Sequence, residues 1–158
     1  GRLGATMEMK PGARADTVEE LARLVKSVAF ELDRVVTEHL AGLTVRQWHV
    51  LAALEGGAGK PMTALAEVTL LPGPSLTRLV DGMVDDNLVL RKADVVDRRR
   101  VLVYQTRRGA ALYRQNRDRL GKSEQLAALC TSMSLQPEAL TELLGTLQRP
   151  GSPADLRD

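Results

Sequence analysis

Residues 61–87 read PMTALAEVTLLPGPSLTRLVDGMVDDN, and residues 88–104 read LVLRKADVVDRRRVLVY. In the first stretch, apolar residues recur at helical spacing on either side of a Pro-Gly-Pro turn. This pattern predicts two short helices, Thr63–Val68 and Ser75–Asn87, joined by that turn. The second stretch changes to short β-branched runs, which predict a hairpin. Two short helices followed directly by a hairpin are the outline of a winged helix-turn-helix.

The predicted hairpin has a strongly basic tip. Its strands, at 88–92 and 101–104, are separated by eight mostly polar residues, which are too many for a two-residue turn. The tip should therefore project from the body. It carries three arginines in succession, Arg98, Arg99 and Arg100.

The basic residues are concentrated in one part of the chain. Residues 89–122 hold eleven Lys or Arg against three Asp, whereas the formal net charge of the whole chain is only +2. Such a concentration is typical of a surface that binds a polyanion. Because charge runs are also common on solvated helix faces, composition alone leaves both interpretations open.

The two parts of a winged helix suit double-stranded DNA. The major groove admits one α-helix, so the helix after the turn would offer Ser75, Thr77 and Arg78 to base edges or phosphates. The narrower minor groove attracts long cationic side chains, which fits the hairpin arginines. Simpler roles stay open: Ser75 or Thr63 could cap a helix, and Arg78 could pair with Asp81. Otherwise Thr63 would donate to a phosphate.

Long amphipathic segments flank this stretch. Thr17–Glu20 has the pattern of a capping box, and apolar residues recur at helical spacing from Val18 to Val35, which predicts a long helix ending near Leu40. After the hairpin, one continuous helix is predicted at about 107–130. A last helix, at about 137–147, has a leucine stripe. Such apolar seams suggest packing on helices of a second subunit.

The predicted fold class is mainly α with a small β-hairpin wing. Residues 43–106 form a winged helix-turn-helix DNA-binding lobe, and 16–42 and 107–148 form the long helices of a dimerisation region. Residues 1–15 are predicted to be a flexible N-terminal arm, and 149–158 a C-terminal tail. One short reading helix makes few base contacts, so two copies are expected to act together.

Composition excludes several classes of protein. The chain has 158 residues, 44% of them hydrophobic and 27% charged, and one cysteine, so neither a disordered chain nor a disulfide scaffold is expected. No apolar run approaches the ~20 residues of a membrane helix, and a cytoplasmic protein is the expectation. The sequence has no P-loop, G-x-S-x-G, dinucleotide fingerprint or H-E-x-x-H. We therefore predict no enzyme activity, no cofactor and no metal site.

Residues 43–113 resemble the MarR family of bacterial transcriptional regulators. The motifs that carry the resemblance are, in order, Leu43-Thr44, Gln47-Trp48, Leu65-Ala66, Thr77-Arg78-Leu79-Val80-Asp81, Leu88-Val89, Asp94-Val-Val-Asp97-Arg98-Arg99 and Thr106-Arg-Arg-Gly109. The resemblance implies a homodimer that binds a pseudo-palindromic operator, usually as a repressor. It also implies release by a small phenolic or carboxylate ligand, and a role for Asp97 in orienting Arg98 or Arg99 within the minor groove.

One feature departs from the family pattern. Relatives commonly have serine or another polar residue at the start of the reading helix, whereas this chain has Pro72-Gly73-Pro74. Fewer side chains are then available to contact bases. Sequence selectivity should depend on the polar residues that follow and on DNA shape.

A ligand cavity is expected between the dimerisation helices and the lobe. Trp48 and His49 are candidate lining residues, and Arg34 is a candidate partner for a carboxylate. Each also has a simpler interpretation: Trp48 as a core residue, His49 as an ordinary histidine, and Arg34 as the partner of Glu31 or Glu38.

An alternative function belongs to another class. Winged helices also serve as protein–protein interaction modules, so the basic surface could bind an acidic protein without sequence-specific DNA binding. Steep salt dependence would distinguish DNA binding from this adaptor role.

Overall fold

The computed structural model describes residues 8–132 and 136–148. These residues form mainly helices, with one small antiparallel sheet, which confirms the predicted fold class. The elements in chain order are α1 (Pro11–His39), α2 (Val45–Ala53), β1 (Lys60–Pro61), α3 (Met62–Thr69), α4 (Gly73–Asp85), β2 (Val89–Ala93), β3 (Val101–Gln105), α5 (Arg107–Lys122), α6 (Glu124–Cys130) and α7 (Pro137–Gln148). The predicted tail at 149–158 lies outside the described residues. Within the described part, no helix has both the length and the hydropathy to span a bilayer.

The hydrophobic core is formed by the elements from α2 to β3 together with α5. Its buried members are Leu43, Val50, Leu51, Leu54, Leu65, Leu76, Val80, Met83, Leu88, Val89, Val103 and Tyr113. A fully buried aliphatic side chain contributes about 1.5–3 kcal/mol to folding, so this cluster is the main source of stability for the lobe. Three of its members, Leu76, Val80 and Met83, hold α4 against the body.

The wing belongs to a three-stranded antiparallel sheet with the strand order β1-β3-β2. β2 and β3 pair from Val89 opposite Gln105 to Ala93 opposite Val101, which confirms the predicted hairpin. The strand β1 pairs with the other edge of β3 and was not predicted. A strand of two residues is too short to have a detectable period.

α1 begins earlier than the sequence predicts. It starts at Pro11, whose fixed φ suits the first helical turn and whose missing N–H is not needed there. Thr17 lies inside the helix and donates its hydroxyl to the carbonyl oxygen of Ala13 at 2.9 Å. The predicted capping box at Thr17 is therefore wrong, and residues 11–15 of the predicted flexible arm are helical.

Hydrogen bonds fasten the end of α1 and the start of α2. Asn116 of α5 is only 1% exposed, and its Oδ1 accepts the N–H of Ala41 at 2.7 Å while its Nδ2 donates to the Ala41 carbonyl at 3.0 Å. The capping box of α2 is confirmed, because Thr44 Oγ1 accepts the N–H of Gln47 and Gln47 Oε1 accepts the N–H of Thr44.

The predicted long helix at 107–130 is two helices. Ser123 separates them, because its backbone is extended and its Oγ caps α6 by accepting the N–H of Leu126 at 3.3 Å. The same Oγ lies 2.9 Å from Nε2 of His39, whose Nδ1 lies 2.8 Å from the carbonyl oxygen of Val35. A carbonyl can only accept, so Nδ1 carries a proton and donates it, and both ring nitrogens have partners.

The wing and α5 meet at a backbone junction. Gly109 is buried in the first turn of α5, and a Cβ there would overlap the carbonyl oxygen of Leu88. Thr106, the N-cap of α5, donates its N–H to that carbonyl at 3.1 Å and its hydroxyl to the carbonyl of Asn87 at 2.7 Å. These contacts leave no space for a side chain at Gly109.

We therefore expect Gly109→Ala to lower the free energy of unfolding by about 1–3 kcal/mol, because backbone must move to admit the methyl group. Gly121 of the same helix is the matched control, since nothing lies within 4 Å of a Cβ there. Gly121→Ala should raise stability by up to about 1 kcal/mol, as alanine favours helix. Urea titration of both variants measures the difference. Equal effects would contradict the steric explanation.

Candidate nucleic-acid interface

The helix predicted to contact bases, α4, begins at Gly73 rather than at Ser75. Pro72 is its N-cap residue and Pro74 lies in its first turn, so the Pro-Gly-Pro segment starts the helix instead of preceding it. Ser75 is therefore within the first turn, half-buried, and is not the N-cap. Thr77 is exposed and donates its hydroxyl to the Gly73 carbonyl at 3.0 Å, which leaves its oxygen able to accept.

Arg78 is exposed on α4 and, among the described residues, takes part in no ion pair. Its suggested pairing with Asp81 is wrong. Asp81 instead accepts from Nη2 of Arg91 on β2 at 2.6 Å. This ion pair joins the helix to the wing and leaves the Arg78 guanidinium available. Arg91 has no local signal as a partner of Asp81, because only the fold brings the two residues together.

The three arginines at the tip of the wing are exposed, as expected for a projecting hairpin. Among the described residues, none of Arg98, Arg99 and Arg100 has an ion-pair partner. The nearest acidic side chains in sequence, Asp94 and Asp97, are engaged with the backbone of the loop. Three guanidinium groups therefore face solvent on one short loop.

Two aspartates shape that loop. The Oδ1 atom of Asp94 accepts the N–H of Val96, and Oδ1 of Asp97 accepts the N–H of Arg99, each at 3.1 Å. The loop is closed by the N–H of Asp94, which donates to the carbonyl of Arg100 at 2.8 Å. Asp97 thus sets the backbone at Arg99 and does not pair with a guanidinium group. Its orienting role toward DNA remains a prediction.

Thr63 lies at the start of α3, exposed, in the second helical position. Pro61 is the N-cap residue of that helix, so the suggestion that Thr63 caps it is wrong. Its hydroxyl is placed at the same end of α3 as the helix's free N–H groups, which suits a phosphate contact. That contact also remains a prediction.

The three predicted ligand-binding residues do not form one site. Arg34 is exposed and held by two carboxylates, Glu31 at 2.8 Å and Glu38 at 2.7 Å, and its pKa is raised chiefly by the hydrogen bond to Glu31. Trp48 packs against the core, and its ring centroid lies 5.2 Å from that of His49. The buried Nε1 of Trp48 has no hydrogen-bond partner among the described residues.

A cleft of about 600 Å³ lies elsewhere, between α1 and α6. Its apolar lining includes Leu24, Val28, Leu32, Val35, Leu126 and Leu129. Among the described residues, Glu31 is the one charged group of the lining, and Arg34, Trp48 and His49 are not part of it. The cleft has no local signal in the sequence, because its two walls, α1 and α6, are far apart in the chain.

A polar cluster joins the turn after α2 to α5. Arg117 donates to Glu55 at 2.8 Å, and the Tyr113 hydroxyl donates to the same carboxylate at 3.4 Å. Burial raises the pKa of Tyr113, and the charge of Glu55 raises it further. The cluster therefore keeps the tyrosine neutral and connected to the lobe. In the described part of the chain, no group of His, Cys, Asp or Glu is arranged to hold a metal ion.

Comparison with known proteins identifies the fold's family. A model of the MarR family matches residues 41–100. The homoprotocatechuate degradative operon repressor of Escherichia coli is 31% identical over 111 residues, which span 70% of this chain and 72% of that protein. The chain belongs to the MarR family.

Solved structures of MarR from Escherichia coli have the same fold. The apo form is 28% identical, with a TM-score of 0.62 over 89% of this chain and 96% of that one. A MarR variant complexed with operator DNA is also 28% identical, with a TM-score of 0.68 over 85% and 97%. The chain has the fold of a MarR-family transcriptional repressor, and these relatives are regulators rather than enzymes.

The turn at the wing tip gives a testable prediction. Asp97→Ala removes the acceptor of the Arg99 N–H, so that amide should exchange with solvent on the order of fivefold faster. Asp97→Asn keeps an oxygen acceptor and should preserve protection. Global stability should change by less than about 0.5 kcal/mol in both, because the loop is exposed. Amide exchange followed by NMR measures this, and protection that survives in the alanine variant would contradict the turn's role.

Proposed function

We propose that this MarR-family chain is a repressor that binds a pseudo-palindromic DNA operator as a homodimer and is released by a small aromatic ligand. The observation that carries the DNA part is the wing: Arg98, Arg99 and Arg100 are exposed and unpaired among the described residues, on a loop of fixed shape. Exposed guanidinium groups without ion-pair partners are well placed to bind a polyanion such as DNA. The ion pair between Asp81 and Arg91 keeps this wing in register with α4.

Each groove then has its own protein element. α4 enters the major groove, where Thr77 and Arg78 contact base edges and Ser75 contacts a base or a phosphate. The wing arginines enter the adjacent minor groove, where the negative potential is concentrated. Thr63 donates to a phosphate and helps to set the register.

A homodimer is proposed because two helices, α1 and α7, leave their apolar seams uncovered by the described part of the chain. α1 has no buried residue, and its seam includes Val18, Val25 and Val28, which are 58%, 49% and 43% exposed. α7 also has no buried residue, and Leu144 and Leu147 are 53% and 73% exposed. Apolar surface of this extent is typical of an interface. A twofold arrangement buries the same seam on both subunits and spaces two reading helices for successive major grooves.

Repression is supported by the relatives. The curated relative is named as a repressor of an operon for homoprotocatechuate degradation. The Escherichia coli MarR variant was crystallised with operator DNA. We extend both roles, operator binding and repression, to this chain.

The cleft between α1 and α6 is the proposed ligand site. Val28, Leu32 and Val35 belong both to this cleft and to the apolar seam, so a second subunit packed on the seam would close it. A ligand there could favour one separation of the two reading helices. Glu31 is the charged group of the lining and Arg34 is already paired, so a neutral phenol fits better than a carboxylate.

DNA binding is tested with duplexes selected from a random pool, which should yield a twofold-symmetric consensus. Arg98→Ala/Arg99→Ala should weaken binding to every sequence by about 2 kcal/mol, roughly thirtyfold, and reduce the slope of log affinity against log salt by about two. Thr77→Ala and Arg78→Ala should instead change which sequence is preferred. Fluorescence anisotropy across a salt series measures both effects.

Arg34→Ala is the control, because Arg34 is an exposed arginine on α1, an element that carries none of the residues proposed to contact DNA. It should leave DNA affinity and salt slope unchanged. If the parent binds no duplex, or binds without salt dependence, the repressor proposal is wrong and the adaptor function is favoured.

Ligand release is tested by titrating neutral phenols and benzoates against the preformed operator complex. We expect phenols to lower operator affinity more than benzoates do, because the described lining of the cleft offers no cation to pair with a carboxylate. Leu129→Trp should fill the cleft and abolish the response without reducing operator affinity. Unchanged affinity across the panel would contradict this part of the proposal and leave DNA binding intact.

A further inference from the structure

The wing tip carries two apolar side chains that the proposed role of the arginines does not use. Val95 and Val96 are 92% and 94% exposed, the highest values among the large hydrophobic residues that the structure describes as exposed. They contribute almost no buried area to the fold. Because the two valines are adjacent on one loop, they are fully available to a partner of this protein.

The loop holds these valines outward through hydrogen bonds. The N–H of Val96 donates to Asp94 Oδ1 at 3.1 Å, and Asp94 donates its own N–H to the carbonyl of Arg100 at 2.8 Å. β-branched side chains also have few rotamers, so ordering them on binding has a small entropic cost. The tip thus presents a small, stiff apolar surface.

The charge next to the valines identifies the kind of partner. Arg98, Arg99 and Arg100 follow within the same loop and are exposed, so the partner must be anionic where it meets the arginines and apolar where it meets the valines. The minor groove of DNA has both properties, because its rims are phosphates and its walls are the C–H groups of deoxyribose. Minor-groove proteins combine Arg or Lys contacts with apolar side chains placed in the groove, often as wedges between base steps.

Other partners fit the tip less well. A specific protein interface buries about 800 Å² on each partner, far more than two valines provide. A stable membrane anchor needs more apolar surface than a single acyl chain, and again two valines fall short. In the minor groove the arginines already supply most of the affinity. Two valines then have to add only a small apolar contact.

We propose that Val95 and Val96 pack against the deoxyribose walls of the minor groove beside the wing arginines and supply an affinity term independent of salt. This rests on the proposed function and adds two contact residues to it. Burial of apolar area releases no counterions, whereas contacts between arginine and phosphate do. The two terms are therefore separable by experiment.

The test compares three proteins on one duplex selected with the parent. Val95→Ser/Val96→Ser should weaken binding by roughly tenfold at every salt concentration from about 50 to about 200 mM, with the salt slope unchanged. Val95→Ile/Val96→Ile keeps the apolar surface and should bind like the parent. Thermal unfolding should be the same in all three, because the side chains are exposed in the free protein.

The outcomes separate the two proposals. If the parent binds duplexes and the serine variant binds equally well, the valine contact is wrong and the repressor function stands. If the parent binds no duplex, the proposed function itself fails. If the parent binds phosphatidylglycerol vesicles through the valines while the serine variant keeps full DNA affinity, the partner is a membrane and our inference is overturned.

Discussion

The close approach of Gly109 to the Leu88 carbonyl is the contact on which the rest of the arrangement depends. It brings the end of α4, the start of β2 and the first turn of α5 into one rigid junction, which Thr106 completes with two hydrogen bonds. Asn87 reverses the chain there with a φ of 57°. The angle between the reading helix and the long helices is therefore set by backbone packing, which has little freedom to adjust.

The elements proposed to contact DNA are pre-organised in the same way. The ion pair between Asp81 and Arg91 ties α4 to the wing, and the turns at Asp94 and Asp97 fix the tip. An exposed ion pair contributes only about 0–1 kcal/mol to stability. Its main effect is therefore to position the wing relative to α4. A surface already in its binding conformation loses less entropy when DNA binds.

The sequence correctly predicted several elements whose signals are local, although the local pattern at Thr17 was misleading. The capping box at Thr44 and the exposed arginines at the tip depend on neighbours in sequence, and both predictions are confirmed. The break at Ser123 depends in part on His39, which is far away in the chain. Asp81 had a local candidate partner in Arg78, yet the fold offers it Arg91. A sequence pattern does not show whether a carboxylate pairs with an arginine nearby in the chain or with a distant arginine, because both have the same chemistry.

The distribution of apolar residues indicates that the lobe and the long helices are stabilised differently. The lobe has a buried core of its own, whereas α1 and α7 bury no residue within the chain. In the proposed homodimer, order in the long helices would depend on subunit concentration, while the lobe would remain folded without a partner. The cleft between α1 and α6 lies beside the helices whose order would depend on the second subunit. A ligand bound there would act on the least constrained region of the molecule, and the rigid junction at Gly109 would carry any change of angle to α4 and the wing.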